Sequence, residues 1–332
     1  MRKAVILYNP LSGGRRDRRL SDVDAALAVL RASHVEAEAE ETRPNGAAAE
    51  QARMAMARGC DAILACGGDG TVHDVLQGMM GSEAALGIIP LGTANALAHD
   101  LQIPRDPASA TLAAVEAKPR RITVGRVGYL DFHGKSVTRH FIVAAGIGVD
   151  AHLFYKLNVG VKQRLGMLSY YAKATHLWLT HPLKRFITEY QESGGKEPKR
   201  AIVSELLAVR IRYFGGILQE LAPGASLDRH DMRLVIFRTT SRLAYLLYIV
   251  RGLLGERFPV PGIDLVNGEK VTCHYLSTST PKNGNPKSNP RIYVEVDGEL
   301  VGTLPAEITI APEAVNLLVP SSQAGKHTTS EP

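Results

Sequence analysis

Strand-like and helix-like stretches alternate through the first third of the chain, and no other feature restricts the fold as strongly. Residues 3–8 form a short apolar run suited to a strand, followed from about residue 17 by Leu20, Val23, Leu27 and Leu30 at helical spacing. A strand near 35–41, an Ala-rich helix after Pro44-Asn45-Gly46, a strand at 62–65, a helix after Thr71 and a strand at 86–89 continue the rhythm. Strands separated by helices need crossover connections, so this part is expected to form an α/β domain with a parallel sheet and helices on both faces. From about residue 121 the pattern changes to strand-like runs at 140–145, 201–213, 232–238, 271–276 and 291–296. These predict a second, mostly antiparallel, β-sandwich-like domain. Helical insertions are expected near 164–179 and 241–254, a Ser/Thr/Pro/Asn/Gly loop at 277–290 and a frayed tail at 321–332.

A chain of 332 residues has room for two cores at ~100 to 200 residues per domain. Hydrophobic residues at 45% and charged residues at 22% exclude disorder. The net charge of +6 favours an anionic partner, which phosphates, membrane surfaces and nucleic acids all satisfy. Cys60, Cys66 and Cys273 are odd in number and lack CxxC spacing, which argues against a disulfide framework or zinc site and for a reducing cytoplasm. The basic start at Arg2-Lys3 precedes an apolar run too short for a secretory signal, and it reads as a first strand. The apolar stretch 243–254 is interrupted by Arg251 and falls short of the roughly 20 residues that span a bilayer.

Three turns follow strands and expose backbone N–H groups: Asn9-Pro10-Leu11-Ser12-Gly13-Gly14, Gly67-Gly68-Asp69-Gly70-Thr71 and Pro90-Leu91-Gly92-Thr93-Ala94-Asn95. In an open α/β sheet such turns point into one crevice, where helix N-termini favour anions. A single Gly-rich turn equally serves only to reverse the chain, but three together point to phosphate. A carboxylate amid phosphate-binding backbone would be repelled by bare phosphate, so Asp69 reads as a holder of Mg²⁺, directly or through water, or else as a turn cap. Asp297-Gly298, between strand-like runs, is first of all a type I′ hairpin turn.

Other nucleotide signatures fail. Gly134-Lys135-Ser136 resembles the end of a P-loop, but Tyr129 stands where its first Gly belongs. Gly146-Ile147-Gly148-Val149-Asp150-Ala151 has the G-x-G-x-x-A form, yet no acid occurs from 151 to 188 to bind a ribose, which argues against hydride transfer. No G-x-S-x-G or HExxH motif is present.

In order, Asn9-Pro10 with Ser12-Gly13-Gly14, Gly67-Gly68-Asp69-Gly70-Thr71, Pro90-Leu91-Gly92-Thr93-Ala94-Asn95 and Val296-Asp297-Gly298-Glu299 resemble the diacylglycerol kinase catalytic-domain family. That family includes bacterial lipid kinases and sphingosine kinases, and its nucleotide domain is similar to that of NAD kinases. The resemblance covers nearly the whole chain. It implies ATP held by Asn9, Pro10, Ser12, Gly13, Thr42, Gly67, Gly68, Asp69, Gly70, Thr71, Gly92, Thr93 and Asn95. It also implies Mg²⁺ organised by Asp69 and a catalytic role for Asp69, with Asp297 deprotonating a lipid hydroxyl and Glu299 the next candidate carboxylate. The implied organisation is an ATP-binding domain at 1–122, joined by a returning segment at about 313–320, and a lipid-binding domain at 123–312.

The sequence departs from the family's bacterial pattern in three places. Asn95-Ala96 stands where many members have Asn-Asp, which looks more like the sphingosine kinase version. The usual Leu-Asp-Asp-Gly appears as Leu227-Asp228-Arg229-His230, so of a structural Mg²⁺ site only Asp228 matches, and Thr123 replaces a common Asp. Asp150 matches a position that looks like a polar headgroup contact, or else caps a helix. The function expected is transfer of the ATP γ-phosphoryl group to diacylglycerol, giving phosphatidic acid for phospholipid biosynthesis. The alternatives are a sphingosine-type long-chain-base kinase or a nucleotide-binding regulatory protein without turnover. The partners implied are a membrane lipid and an anionic membrane surface rather than nucleic acid. A cytoplasmic protein, peripheral at the inner face of the membrane and compatible with a homodimer, is expected.

Overall fold

The computed structural model describes residues 1–12, 16–43, 46–148, 183–214, 220–255, 258–276 and 291–320. The expected helix at 164–179, the loop at 277–290, the tail at 321–332, and Gly13, Gly14, Pro44, Asn45 and Asp150 lie outside them. The chain divides into two units, one of residues 1–124, 211–219 and 311–332, the other of 125–210 and 220–310. Residues 211–219 thus join the first unit across a gap of more than eighty residues in sequence. What ties their described part there is Asp100, whose Oδ1 accepts the N–H groups of Arg212 at 3.0 Å and Tyr213 at 2.8 Å.

The first unit has the expected α/β build. Its elements in order are β1 (Lys3–Tyr8), α1 (Arg16–Ala32), β2 (Glu36–Glu41), α2 (Ala48–Ala57), β3 (Ala62–Gly67), α3 (Asp69–Met79), β4 (Ala85–Pro90), α4 (Ala96–Asp100) and α5 (Pro107–Glu116). The strands lie in the order β2-β1-β3-β4, all parallel. The central β3 and β4 are buried at every position, as parallel strands covered on both faces must be. The edge strand β2 instead alternates Glu with Ala, and its charges discourage pairing with another chain. In α1, Val23, Leu27 and Leu30 are buried as their spacing predicts, but Leu20 is exposed. The last residues of a long final strand add a parallel pairing to β4, Asn316 opposite Ala85 and Leu317 opposite Leu86.

The second unit is antiparallel. It contains β6 (Ser136–Phe141), β7 (Ala144–Gly148), β8 (Phe186–Glu192), β9 (Lys199–Val203), β10 (Glu205–Val209), β11 (Met232–Phe237), α6 (Arg242–Leu254), β12 (Ile263–Tyr275) and β13 (Tyr293–Val296). Two long strands, β5 (Lys118–Leu130) and β14 (Glu299–Val319), contribute to both units. β14 pairs with β13 near its start and with β12 through residues 306–309, so the ladder returns on itself around one core. Phe141, Ile147, Phe186, Leu234 and Val271 fill that core with no more than a trace of exposure. Each buried aliphatic or aromatic side chain of this kind stabilises the fold by about 1.5 to 3 kcal/mol. Two runs expected as continuous strands are interrupted. The run 140–145 breaks at Ile142-Val143, and 201–213 breaks at Ser204 and ends at Val209.

Candidate functional site

The order β2-β1-β3-β4 makes the chain cross in opposite directions from β1, and in open α/β sheets ligands settle outside the strand ends at that point. The three predicted turns leave there. Asn9 follows β1 and donates its N–H to the Cys66 carbonyl of β3 at 3.0 Å, joining the two strand ends. Its side-chain oxygen accepts the Leu11 N–H at 2.9 Å, a local turn that also shapes Pro10 and Ser12. The buried Arg19 of α1 donates to the Ser12 carbonyl and pairs with Asp22 at 3.3 Å. Thr42, just past β2, donates its N–H to Tyr8 at 2.8 Å and so stands at the same edge.

Gly67 ends β3, and Gly68 caps α3 in an extended conformation that any residue can adopt (φ −93°, ψ −174°). The glycines answer to space rather than to φ. A Cβ on Gly67 would lie 2.3 Å from the Thr71 hydroxyl, and one on Gly68 3.3 Å from the Gly92 Cα. A Cβ on Gly92 would lie 2.5 Å from the Gly68 Cα, so two backbones meet where the loops after β3 and β4 run side by side. Asp69 and Gly70 open α3, Asp69 in its first turn, where a carboxylate complements the helix dipole. Thr71 is buried beneath them.

The third loop is clamped by one side chain. Asn95 adopts a left-handed conformation (φ 49°), accepts the Gly92 N–H through Oδ1 at 2.9 Å and returns Nδ2–H to the Gly92 carbonyl at 2.9 Å. The Leu91 N–H, bonded to the Gly67 carbonyl at 2.7 Å, fastens this loop to the second, and Thr93 is left exposed at its tip. Asn95→Ala is expected to cost about 1 to 3 kcal/mol, from both lost bonds and the left-handed backbone. Asn95→Gly should recover the backbone share alone, and thermal melting of the two variants checks the difference.

Asp297 and Glu299 belong to the second unit. Asp297 and Gly298 have φ of 48° and 85°, which gives the type I′ turn expected. The turn does more than reverse the chain. The buried Asp297 carboxylate accepts three backbone N–H groups, Val143 at 2.9 Å and Ala144 at 3.0 Å on Oδ1 and Ile142 at 3.1 Å on Oδ2. This accounts for the break between β6 and β7, because those N–H groups turn away from a ladder toward a carboxylate. Glu295 accepts the Gly298 N–H at 2.6 Å, and the half-exposed Glu299 pairs with Arg139 at 3.5 Å.

Asp228 lies in the loop before β11. It is exposed, and among the described residues no three His, Cys, Asp or Glu side chains gather to hold a cation. The adjoining chain is organised by guanidinium groups instead. Arg229 forks onto Asp231 at 2.6 and 2.8 Å, and Ser193 donates to the same carboxylate at 2.7 Å. Burial alone would raise the Asp231 carboxyl, but those bonds outweigh it and hold it below the usual range. Arg210, fully buried, donates to the carbonyls of Leu227, Arg229 and Asp231, and burial pulls its guanidinium down to about 10. Its own N–H bonds the Val143 carbonyl at 2.9 Å, next to the groups that hold Asp297. Arg210→Met is expected to lose about 1 to 3 kcal/mol for each carbonyl left bare, read as a lowered denaturant midpoint. Sequence reading missed Arg210 and Asp231 because an isolated Arg at a strand end carries no motif.

The three cysteines are buried and free, and burial pushes the Cys66 and Cys273 thiols up to about 12, which disfavours the thiolate. Residues 3–127 match the family model described as the diacylglycerol kinase catalytic domain, and they contain all three clamped loops. In that part the chain is similar to a diacylglycerol kinase catalytic domain. It is 27% identical over 327 residues to a protein named diacylglycerol kinase in Bacillus subtilis, covering 98% of each chain. It is 27% identical over 322 residues to one of the same name in Staphylococcus aureus, covering 96% of this chain and 93% of the other. A crystal structure of a diacylglycerol kinase homologue from Bacillus anthracis, 19% identical, superposes with a TM-score of 0.72 over 96% of this chain and 98% of that one, which shows a shared fold. These similarities support a kinase role, and the three loops lie within the matched residues 3–127.

Proposed function

We propose that the protein transfers the γ-phosphoryl group of ATP to the primary hydroxyl of diacylglycerol, giving phosphatidic acid. The observation that carries this reading is the approach of Gly68 to Gly92 within a domain matched by the diacylglycerol kinase catalytic model. Backbone approaches that closely, with a Cβ excluded at Gly92 and crowded at Gly68, where a polyphosphate must reach N–H groups. The N-terminus of α3 and the loop held by Asn95 would bind and orient the nucleotide, which in phosphoryl transfer is most of the catalytic task. Mg²⁺ is commonly held by one or two carboxylates plus the nucleotide's own phosphates, so a single Asp69 at the start of α3 fits that arrangement. Bound to the nucleotide, the ion would neutralise charge on the transferred group. Asp297 is the proposed proton acceptor, its carboxylate fixed in orientation by three N–H donors, and Glu299 is the second carboxylate on the same turn.

The test is transfer of labelled γ-phosphate from ATP to a lipid extract and chemical identification of the product. Labelled phosphatidic acid is the expected result. A labelled long-chain base would move the acceptor to the sphingosine class, and ATP binding without any labelled lipid would mean a nucleotide-binding regulatory protein.

A further inference from the structure

Helix α6 is aliphatic on the side it shows to water. Its inner face is fixed: Tyr245 stacks on Phe237 of β11 with centroids 4.5 Å apart and shares a 2.8 Å hydrogen bond with the Ser204 hydroxyl. Tyr248 meets Phe237 edge-on at 5.2 Å, and Arg251 lies over the Tyr248 ring at 4.3 Å. The helix is also well defined at its ends, with Ser241 capping the start and a left-handed Gly255 the finish. The outer face presents Leu243, Leu246, Leu247, Ile249 and Leu254, each between 39% and 67% exposed. These positions follow the three- and four-residue spacing of one stripe, and no exposed residue of α6 is polar. An aliphatic stripe shown to water on a helix held firmly from beneath is a candidate contact surface.

We infer that this face of α6 docks the second unit onto an anionic bilayer surface, lying in the headgroup boundary with its leucines among the acyl chains. The choice of a bilayer rests on the lipid-kinase reading above. Geometry and charge favour it over a second copy of the chain. Thirteen residues make a helix about 20 Å long, and its outer stripe, roughly 10 Å wide, is far below the ~800 Å² per partner that a stable dimer buries. The same length is too short to cross ~30 Å of hydrocarbon, and no helix among the described residues is long and apolar enough to span. A helix held from beneath and aliphatic above has the form of one that lies in the interface. Arg242 opens α6, while Arg238 is paired with Asp264 at 2.7 Å and Arg251 is buried against the Tyr248 ring, so the preference for a negative headgroup layer rests on the chain's net charge of +6.

The experiment uses the full chain and the double variant Leu243→Gln with Leu247→Gln, sedimented with vesicles of phosphatidylcholine alone or of equal parts phosphatidylcholine and phosphatidylglycerol. Wild type is expected to bind, and better to the anionic vesicles. The variant should bind about tenfold or more weakly for each leucine removed, with an unchanged melting curve because both side chains are exposed. Equal sedimentation of wild type and variant, or a wild-type dimer that the variant turns into a monomer, would overturn the inference. Phosphorylation of a dispersed short-chain diacylglycerol separates this outcome from the fate of the kinase reading. A variant that keeps that rate and loses the rate on vesicles supports docking through α6. Wild type that phosphorylates the soluble lipid without binding vesicles removes the docking face and leaves the kinase standing. Binding to vesicles without phosphorylation of any lipid keeps the face and removes the kinase.

Discussion

Gly92→Val is expected to abolish ATP binding in a protein that still folds. The substituted Cβ would sit 2.5 Å from the Gly68 Cα and 2.6 Å from Asn95 Oδ1, and the first of these is backbone that no rotamer change can clear. The loops after β3 and β4 must then separate, breaking the bond from the Leu91 N–H to the Gly67 carbonyl and the Asn95 clamp. Overpacking of this kind costs about 1 to 3 kcal/mol, which lowers the melting temperature without emptying the native state. Affinity for ATP should fall by more than about 100-fold, because a cradle that opens by an ångström no longer presents its N–H groups together. Gly68→Val should act in the same direction but less strongly, its nearest atom being 3.3 Å away, and its extended backbone adds no strain. Calorimetric titration of both folded variants decides the matter, and an unchanged affinity for Gly92→Val would remove the phosphate-cradle assignment.

Asp297→Asn is expected to have two separable effects. The turn itself tolerates Asn, which suits a left-handed first position. The amide nitrogen cannot accept, so whichever way the side chain points, at least one of the Ile142, Val143 and Ala144 N–H groups loses its acceptor. That should destabilise the protein by about 1 to 3 kcal/mol, more than a simple turn residue would show. If the carboxylate also takes the lipid proton, turnover per folded molecule should drop by roughly 10² to 10⁴, with ATP affinity retained. Initial rates well below the variant's melting temperature, at saturating ATP and lipid, separate these effects. A destabilised variant with the wild-type rate per folded molecule would leave Asp297 as an anchor of the strand break alone, and Glu299 would become the carboxylate to replace.

The two variants also mark how much of the site was readable before the fold was known. The loops after β1, β3 and β4 announce themselves because the residues that make a tight, N–H-exposing turn are adjacent in sequence. Asn95 is the same case, since it clamps a glycine only three positions away. The expected strand at 140–145 shows the opposite. Its composition suits a continuous strand, yet it breaks at Ile142-Val143 because a carboxylate more than 150 residues later claims its N–H groups. The organisation of residues 227–231 by Arg210 is the same kind of case, since the guanidinium reaches them from the end of a different strand.

The sequence by itself determined the α/β rhythm of the first unit, the antiparallel character of the second, the three Gly-rich turns and the hairpin at Asp297-Gly298. All of these rest on periodicity, turn chemistry or conformational preference within a dozen residues, and such terms act wherever the segment ends up. Tertiary structure alone decided that Gly68 and Gly92 share one close approach, that Asp297 holds residues 142–144, that Arg210 organises 227–231 and that α6 turns an aliphatic face outward. Those outcomes depend on strand order and register. A side chain's distant partners are fixed only when the sheet has chosen its neighbours, and no local pattern in one chain specifies that choice.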